Sequence, residues 1–237
     1  MDEFDKAVVV VTGAAGNLGR AVAEAFAARG AHLALLDRNM DGVAATIEAC
    51  SGQTSAKAFA VDLMDSASVD AALSDVLQAF GHIDVLANIA GGFTMGPRIQ
   101  DTEDRDWAFM MDLNARSVFY TCRRTIPAML DNGGGRIINV SARAAEQPKG
   151  KMGPYCASKA AVLTLTESLA AENRHDNINV NCILPGTIDT PQNREAMPDA
   201  DHSRWVPPAA LADVVMFLAS NAARCVTGAA VPVYGQS

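Results

Sequence analysis

The stretch VVVVTGAAGNLGRAVAEAF, residues 8–26, decides the fold of this chain of 237 residues. Four consecutive valines predict a buried strand, and the alanine-rich segment from Leu18 onward predicts a helix. Gly13, Gly16 and Gly19 lie directly between the two. Small residues here let the chain turn sharply and let the free N–H groups of the helix face a phosphate. The stretch therefore predicts the first strand, turn and helix of an α/β protein that binds a dinucleotide.

A carboxylate ends the second predicted strand, Leu35-Leu36-Asp37, about 20 residues after the glycine-rich turn. At this position Asp37 is expected to accept the hydroxyls of an adenosine ribose and to repel a 2′-phosphate, which favours NAD(H) over NADP(H). The neighbouring Arg38 is able to pair with that phosphate, so NADP(H) remains open. The alternatives are that the glycines form an ordinary tight turn and that Asp37 is a solvated acid at a strand end.

Short β-branched apolar runs alternate with longer helical patterns along the chain, which is typical of a parallel sheet covered by helices. We predict one α/β domain, residues 1–237, with a Rossmann-like, doubly wound, seven-stranded parallel sheet and helices on both faces. The predicted strands are Ala7–Val11, His32–Leu36, Ala58–Val61, Ile83–Ala87, Arg136–Val140, Asn177–Ile183 and Ala230–Val233. The predicted helices are Leu18–Arg29, Asp41–Cys50, Ser66–Phe80, Asp104–Leu130, Pro154–Arg174 and Pro208–Ser220.

Several helix ends are also predicted. Pro154 and Pro208 suit a first helical turn, and Gly30, Gly81 and Gly133 lie where left-handed C-caps are expected. Only Gly186–Pro207 lacks a clear pattern. Because a long irregular stretch after a strand of a compact domain is usually functional, we predict that it is a substrate lid. The alternative is a surface excursion with Trp205 packed in the core.

The composition restricts the class of protein. The chain is 49% hydrophobic and 19% charged with a net charge of −8, which predicts a packed core and argues against nucleic acid and anionic membranes as partners. No apolar run is long enough for a membrane span, and the acidic N-terminus lacks the features of a signal peptide. Five cysteines without a C-x-x-C pair suggest free buried thiols and a cytoplasmic protein. The spacing of the four histidines gives no support for a metal site.

Tyr155-Cys-Ala-Ser-Lys159 lies just inside a predicted helix, so the phenol and the ammonium lie one turn apart on one face. A nearby ammonium is expected to lower the pKa of Tyr155 and to make it a general acid or base. Taken alone, the pair also fits an ordinary surface contact of a helix.

Together these motifs resemble the short-chain dehydrogenase/reductase family, in its single-domain branch, over essentially the whole chain. The resemblance implies that Tyr155 exchanges a proton with the substrate, that Lys159 holds the nicotinamide ribose and tunes Tyr155, and that Asn114 keeps a relay water in place. It also implies a set of residues that contact the cofactor: Gly13, Gly16, Asn17, Leu18, Gly19, Asp37, Arg38, Asp62, Leu63, Asn88, Ala90, Gly91, Tyr155, Lys159, Pro185, Gly186, Ile188 and Thr190. Two alternatives stay open, namely that Asn114 only bonds backbone groups and that Asn88 ties strands together.

Two positions depart from the family pattern. Asn17 stands where this branch usually has its middle glycine, and Ala142 stands where the family has its catalytic serine. Ser141 is adjacent, but successive residues of a strand point in opposite directions. Ser141 is therefore a doubtful catalytic candidate, and a structural hydroxyl is the competing interpretation.

The expected function is hydride transfer between NAD(H) and a small carbonyl or alcohol. The C-terminal half, including Met152 and Trp205, is also similar to quinonoid dihydropteridine reductases, which gives a second possible activity. A third possibility is a dinucleotide-binding sensor without catalysis, although a sensor does not need Tyr155 and Lys159. The resemblance further suggests a homodimer or homotetramer formed by the helices at Asp104–Leu130 and Pro154–Arg174, whose apolar faces a core role explains equally well.

Overall fold

A computed structural model of the chain describes residues 3–50 and 54–236. Seven strands in this part of the chain pair in parallel and form one sheet in the order β3-β2-β1-β4-β5-β6-β7. Their bounds are β1 Val8–Thr12, β2 His32–Asp37, β3 Ala56–Ala60, β4 Val85–Asn88, β5 Gly135–Val140, β6 Ile178–Pro185 and β7 Ala230–Val233. The predicted fold class is confirmed.

Helices connect the strands and cover both faces of the sheet. Their bounds are α1 Asn17–Ala27, α2 Met40–Ala49, α3 Ser66–Phe80, α4 Asp104–Met110, α5 Ser117–Asp131, α6 Gly153–Glu172, α7 Pro191–Ala196 and α8 Pro208–Ala219. Pro154 and Pro208 lie in the first turns of α6 and α8, as predicted. Gly30, Gly81 and Gly133 adopt positive φ angles of 82°, 88° and 83°, which confirms the predicted left-handed positions.

The core consists of two apolar layers, one on each side of the sheet. Because side chains alternate along a strand, Val9 and Val11 of β1 enter one layer and Val10 enters the other. The first layer packs against α1, α2 and α8, and the second against α3, α5 and α6. Because the central strands are buried on both faces, their sequences are continuous apolar runs rather than alternating patterns.

The chain order reverses between β1 and β4, and ligands of open α/β sheets bind at such a switch point. Thr12 at the end of β1 accepts hydrogen bonds through its Oγ1 from the backbone N–H groups of Ile89 and Ala90, at 3.1 and 3.2 Å. The two strand ends are therefore held together at the carboxyl edge, where the glycine-rich turn also lies.

One helix prediction was wrong. Asp104–Leu130 is not a single α-helix, because a π-helical turn, Met111–Arg116, separates α4 from α5. Asn114 lies fully buried in this wider turn and forms hydrogen bonds outside its own helix. A π-helical turn has i→i+5 backbone hydrogen bonds in place of the regular i→i+4 pattern, and local periodicity does not reveal the distant partners of Asn114.

The predicted irregular segment Gly186–Pro207 also contains more structure than expected. It includes α7 and a 3₁₀ turn, His202–Arg204. Thr190 caps α7 by accepting a hydrogen bond from the Asn193 N–H at 3.2 Å, and Pro191 occupies the first turn. A threonine followed by proline is a recognisable helix start, so this signal was present in the sequence.

The cysteine prediction holds for four of the five thiols. Cys50, Cys122, Cys156 and Cys182 are buried, whereas Cys225 is exposed in the connection before β7. The prediction of burial was therefore wrong for Cys225, whose side chain enters neither apolar layer, although the neighbouring Val226 packs against the first. No helix within residues 3–50 and 54–236 combines the length and apolar character that a membrane crossing demands.

Candidate active site

The glycine-rich turn brings backbone close to backbone. Gly13 has a φ of 68°, and a Cβ on it would lie 2.8 Å from the Cα of Ala90. A Cβ on Gly19 would overlap the carbonyl group of Gly13, so α1 packs too closely for any side chain there. Gly16 precedes the first helical residue, Asn17. The first-turn N–H groups of α1, which include those of Leu18 and Gly19, therefore lie at the carboxyl edge without helical acceptors.

Asp37 ends β2 beside this turn. Its Oδ2 accepts a hydrogen bond from the Ala15 N–H at 3.1 Å, and its Oδ1 accepts one from the Asn39 N–H at 2.9 Å. The carboxylate is thereby fixed against the turn, and its remaining lone pairs are free to accept further donors. The neighbouring Arg38 is exposed.

The residues predicted near adenine follow β3. Asp62 is exposed, and its Oδ1 accepts a hydrogen bond from the Met64 N–H at 2.9 Å. Ser68 Oγ accepts a hydrogen bond from the Asp62 N–H at 2.9 Å, and Leu63 is buried. The structure thus places Asp62 and Leu63 at the same sheet edge as Asp37, one strand further out.

Asn88 ends β4 and is buried. Its Nδ2 donates to Asn139 Oδ1 of β5 at 2.9 Å, and its Oδ1 accepts from Thr121 Oγ1 of α5 at 2.8 Å. These partners fit the alternative that Asn88 ties strands together. Its contact with the cofactor stays a prediction, as does that of Ala90, which lies against Gly13.

Asn114 connects three parts of the site. Its Oδ1 accepts from the Gly92 N–H at 2.9 Å, and its Nδ2 donates to the Gly92 carbonyl oxygen at 3.1 Å and to Ser158 Oγ at 3.0 Å. A Cβ on Gly91 would lie 2.9 Å from Asn114 Oδ1 and 3.0 Å from Lys159 Nζ. The segment after β4, the π-helical turn and α6 therefore converge on one point.

Tyr155 and Lys159 lie in the first two turns of α6. Tyr155 is half-buried, whereas Lys159 is buried and donates from Nζ to the Val140 carbonyl oxygen at 2.8 Å. Burial raises the pKa of Tyr155 to about 12 and lowers the pKa of Lys159 to about 8. The expected lowering of the Tyr155 pKa by the ammonium was therefore wrong, because loss of solvent is the dominant effect on both groups.

Ser141 is buried, and its Oγ donates to the Lys159 carbonyl oxygen at 2.7 Å. This hydrogen bond ties the end of β5 to α6, which fits the structural interpretation of the hydroxyl. Ala142, the next residue, is also buried and has no hydroxyl to offer. This geometry favours the structural role of Ser141 over a catalytic one, which stays a prediction.

The segment after β6 forms the other side of the edge. The Gly186 N–H donates to the Val233 carbonyl oxygen at 2.9 Å, which fixes Pro185 and Gly186 beside β7. Ile188 forms a β-bridge with Val206. Trp205 is buried, as expected from the alternative that it packs in the core. The role of the segment as a lid stays a prediction.

Asn17, which departs from the family pattern, forms a side-chain contact with α7. Its Nδ2 donates to Gln192 Oε1 of α7 at 2.9 Å, so the glycine-rich turn is linked directly to the predicted lid. The family's middle glycine has no side chain with which to form such a link.

Phe93 is a residue that the sequence reasoning missed. Its ring meets the ring of Tyr155 edge to face, with centroids 4.9 Å apart and an interplanar angle of 89°. The available signal was a large apolar residue directly after the Gly91-Gly92 pair, at the carboxyl end of a strand.

Comparisons with known proteins identify the family of the chain. The family model described as short chain dehydrogenase matches residues 7–201. D-threitol dehydrogenase of Mycolicibacterium smegmatis is 35% identical over 98% of this chain and 93% of its own length. An NAD+-bound xylitol dehydrogenase structure has a TM-score of 0.92 at 27% identity, covering 98% of this chain and 99% of the other. Carveol dehydrogenase from Mycobacterium avium in complex with NAD gives 0.92 at 25% identity, covering 99% and 98%.

These relatives are dehydrogenases, so the sensor interpretation is set aside, while the similarity of the C-terminal half to dihydropteridine reductases stays a prediction. A match over most of the chain, a parallel sheet of seven strands and the ordered motifs all lead to the same assignment. The chain belongs to the short-chain dehydrogenase/reductase family and is an oxidoreductase.

Proposed function

We propose that this enzyme transfers a hydride between NAD(H) and a small alcohol or carbonyl compound, with Tyr155 as the general acid and base. The convergence of Tyr155, Lys159 and Asn114 beside the Gly91-Gly92 segment carries the proposal. This point lies at the carboxyl edge of the sheet, next to the glycine-rich turn, where a dinucleotide and a substrate are able to meet.

The residues at this edge fit a nicotinamide dinucleotide. Gly13 and Gly19 leave no room for a Cβ, so the turn offers bare backbone to a diphosphate, and the N-terminus of α1 favours its negative charge. We assign the diphosphate to the N–H groups of Asn17, Leu18 and Gly19. Asp62 and Leu63 are assigned to the adenine end, and Pro185, Gly186, Ile188 and Thr190 to the nicotinamide end.

Asp37 supports NAD(H) over NADP(H). Its carboxylate is held in place by two backbone N–H groups and retains lone pairs for ribose hydroxyls. A 2′-phosphate at the same place would meet a fixed negative charge, and the exposed Arg38 would offset only part of that repulsion.

A bound nicotinamide would supply the hydride acceptor for oxidation of an alcohol and the hydride donor for reduction of a carbonyl. The protein moves the accompanying proton. In reduction, the hydroxyl of Tyr155 donates its proton to the substrate oxygen, and with a pKa of about 12 the phenol is protonated and ready to do so. In oxidation, Tyr155 first releases a proton to solvent, and the phenolate then takes the hydroxyl proton of the substrate.

Lys159 and Asn114 support Tyr155 in different ways. We assign the buried ammonium of Lys159 to the ribose next to the nicotinamide, since it lies beside Gly91 at the floor of the site. Asn114 positions the Gly92 backbone and α6 through Ser158. Its role in holding a relay water stays a prediction from the family resemblance.

The alanine at position 142 changes how the substrate oxygen is held. A serine there would donate a hydrogen bond to this oxygen, and Ala142 is unable to do so. We infer that Tyr155 both orients and protonates the oxygen, and that contacts with the rest of the substrate supply the remaining orientation.

Absorbance of NADH, followed during incubation with panels of alcohols and of carbonyl compounds, tests the proposal. We expect turnover in both directions and a higher kcat/KM with NAD(H) than with NADP(H). Tight NADH binding without turnover of any alcohol or carbonyl compound would contradict an oxidoreductase activity of this kind, and a preference for NADP(H) would contradict the role of Asp37.

We further propose that the protein forms a homo-oligomer through α4 and α5, because Trp107, Phe109 and Phe119 expose large apolar surfaces on these helices. Light scattering coupled to size-exclusion chromatography should give the mass of a dimer or tetramer. A monomer mass at micromolar concentration would contradict this assignment.

A further inference from the structure

Three large apolar side chains, Phe93, Met95 and Ile99, follow β4 and are 54%, 64% and 63% exposed. We call this set the apolar rim. Phe93 contacts Tyr155 directly, with ring centroids 4.9 Å apart. Because the substrate oxygen must reach the Tyr155 hydroxyl, the groups attached to the reacting carbon pass next to Phe93.

The backbone that carries the rim is held at both ends. Asn114 bonds both the N–H and the carbonyl group of Gly92, and the Gly96 N–H donates to the Lys151 carbonyl oxygen at 2.9 Å. The side chain of Ile99 lies against Gly153 at the start of α6, where a Cβ would meet its Cδ1 at 3.0 Å. The rim is therefore fixed beside Tyr155.

The chemistry of this wall is apolar. Residues 91–97, GGFTMGP, contain no charged side chain and a single hydroxyl, that of Thr94, and the exposed Arg98 comes between this stretch and Ile99. On the β5 side, Ala142 replaces the serine that would offer another hydroxyl. On the side of the predicted lid, Met197 is partly exposed. Covering such a surface with an apolar ring lowers the free energy of the complex.

A polyol suits these surroundings poorly. Each polyol hydroxyl that leaves water and becomes buried in the site needs a hydrogen-bond partner, because a buried unpaired polar group is costly. An alcohol or ketone with an apolar ring makes no such demand beyond its reacting oxygen, which Tyr155 serves.

We propose that the preferred substrate is an alcohol or ketone whose reacting carbon lies in, or next to, an apolar ring, and that Phe93 determines this preference. The inference rests on the proposed hydride transfer and specifies its substrate class. Phe93 acts by contact with the hydrocarbon part of the substrate, since burial of apolar surface against its ring is favourable.

Steady-state kinetics with NAD+ test the proposal on 2-methylcyclohexanol and threitol. We expect the unmodified enzyme to favour the cyclic alcohol at least about tenfold in kcat/KM. Phe93→Ala should lower kcat/KM for the cyclic alcohol about tenfold, mainly through KM, and should leave threitol within about twofold. Phe93→Leu, which keeps an apolar side chain, should recover most of the loss.

Phe217→Ala is the matched control, since Phe217 lies on α8 and is 49% exposed. Phe217→Ala should leave kcat/KM unchanged for both substrates. A preference for threitol in the unmodified enzyme would overturn the inference and leave the proposed function in place. An equal loss for both substrates in Phe93→Ala, or no loss for either, would also overturn it. Absence of turnover with both substrate classes and both nicotinamide cofactors would overturn the proposed function itself.

Discussion

Replacing Lys159 by methionine should change how the stability of the protein depends on pH. The ammonium of Lys159 is buried, and burial lowers its pKa from 10.5 to about 8. In the unfolded chain the group keeps its ordinary pKa, so between these two values the unfolded chain binds more protons than the folded one. The free energy of unfolding therefore rises with pH across this window. Lys159→Met lacks this contribution.

The size of the effect follows from the two pKa values. One pKa unit corresponds to about 1.36 kcal/mol, so the full difference between 10.5 and about 8 corresponds to about 3 kcal/mol. Between about pH 7 and about pH 9.5 the gain is about 2 kcal/mol, because part of the titration lies at higher pH. With an m value of about 3 kcal/mol per M urea, this gain moves the unfolding midpoint by about 0.7 M.

Urea unfolding at both pH values, followed by circular dichroism at equal protein concentrations, measures the effect. The stability difference between the unmodified protein and Lys159→Met should increase by about 2 kcal/mol toward the higher pH. Taking the difference cancels the titration of groups that both proteins share. Lys149→Met, which removes an exposed lysine, controls for the loss of one positive charge. A difference that does not change with pH would refute the claim that burial perturbs Lys159.

Three further predictions concern the cofactor and the proton. Asp37→Ala should reduce kcat/KM with NAD+ and raise the relative activity with NADP+, and initial rates with both cofactors will show whether the ratio moves; an unchanged ratio would contradict the role of this carboxylate. Gly91→Ala places a methyl carbon 3.0 Å from the Lys159 ammonium and should lower kcat at least about tenfold. Gly96→Ala is the control, because a Cβ there would have nothing within 4 Å and should leave kcat unchanged. Equal kcat values for the two variants would refute the argument that a side chain at position 91 crowds the site. Because the pKa of Tyr155 is raised to about 12, kcat for oxidation should rise with pH through the alkaline range while kcat for reduction stays level; parallel pH profiles would contradict proton transfer by this phenol.

Features that depend on local chemistry could be predicted from the sequence. The valine run and the glycines up to Gly19 specify the first strand, turn and helix, because burial and close backbone approach restrict the residue types directly. The left-handed positions at Gly30 and Gly81 follow from the same conformational rule. Asp37 could be placed because strand length and turn length fix where β2 ends.

Features that depend on partners distant in sequence could not be predicted. The π-helical turn around Asn114 exists together with hydrogen bonds to Gly92 and Ser158, which lie far away in sequence. The raised pKa of Tyr155 depends on burial, which spacing from Lys159 does not reveal. Phe93 lies in the loop after β4 and contacts Tyr155 of α6, and no periodic pattern predicts this contact.

The assignment of short α7 differs from these cases. The helix begins at Pro191 after the capping Thr190, so the sequence contains its start signal. The helix was not predicted because six residues are too few to show the apolar periodicity by which longer helices are recognised. Local capping signals therefore need to be read even in segments without a pattern.

The most direct test of the account is the activity of Tyr155→Phe. This substitution removes the phenolic hydroxyl and keeps the ring that packs against Phe93. Steady-state reduction of a carbonyl substrate by NADH, together with NADH binding followed by fluorescence, separates chemistry from binding. We predict a loss of about 10³-fold in kcat with an NADH Kd within about threefold of the unmodified enzyme. Turnover by Tyr155→Phe at the rate of the unmodified enzyme would contradict the central claim that Tyr155 carries the proton.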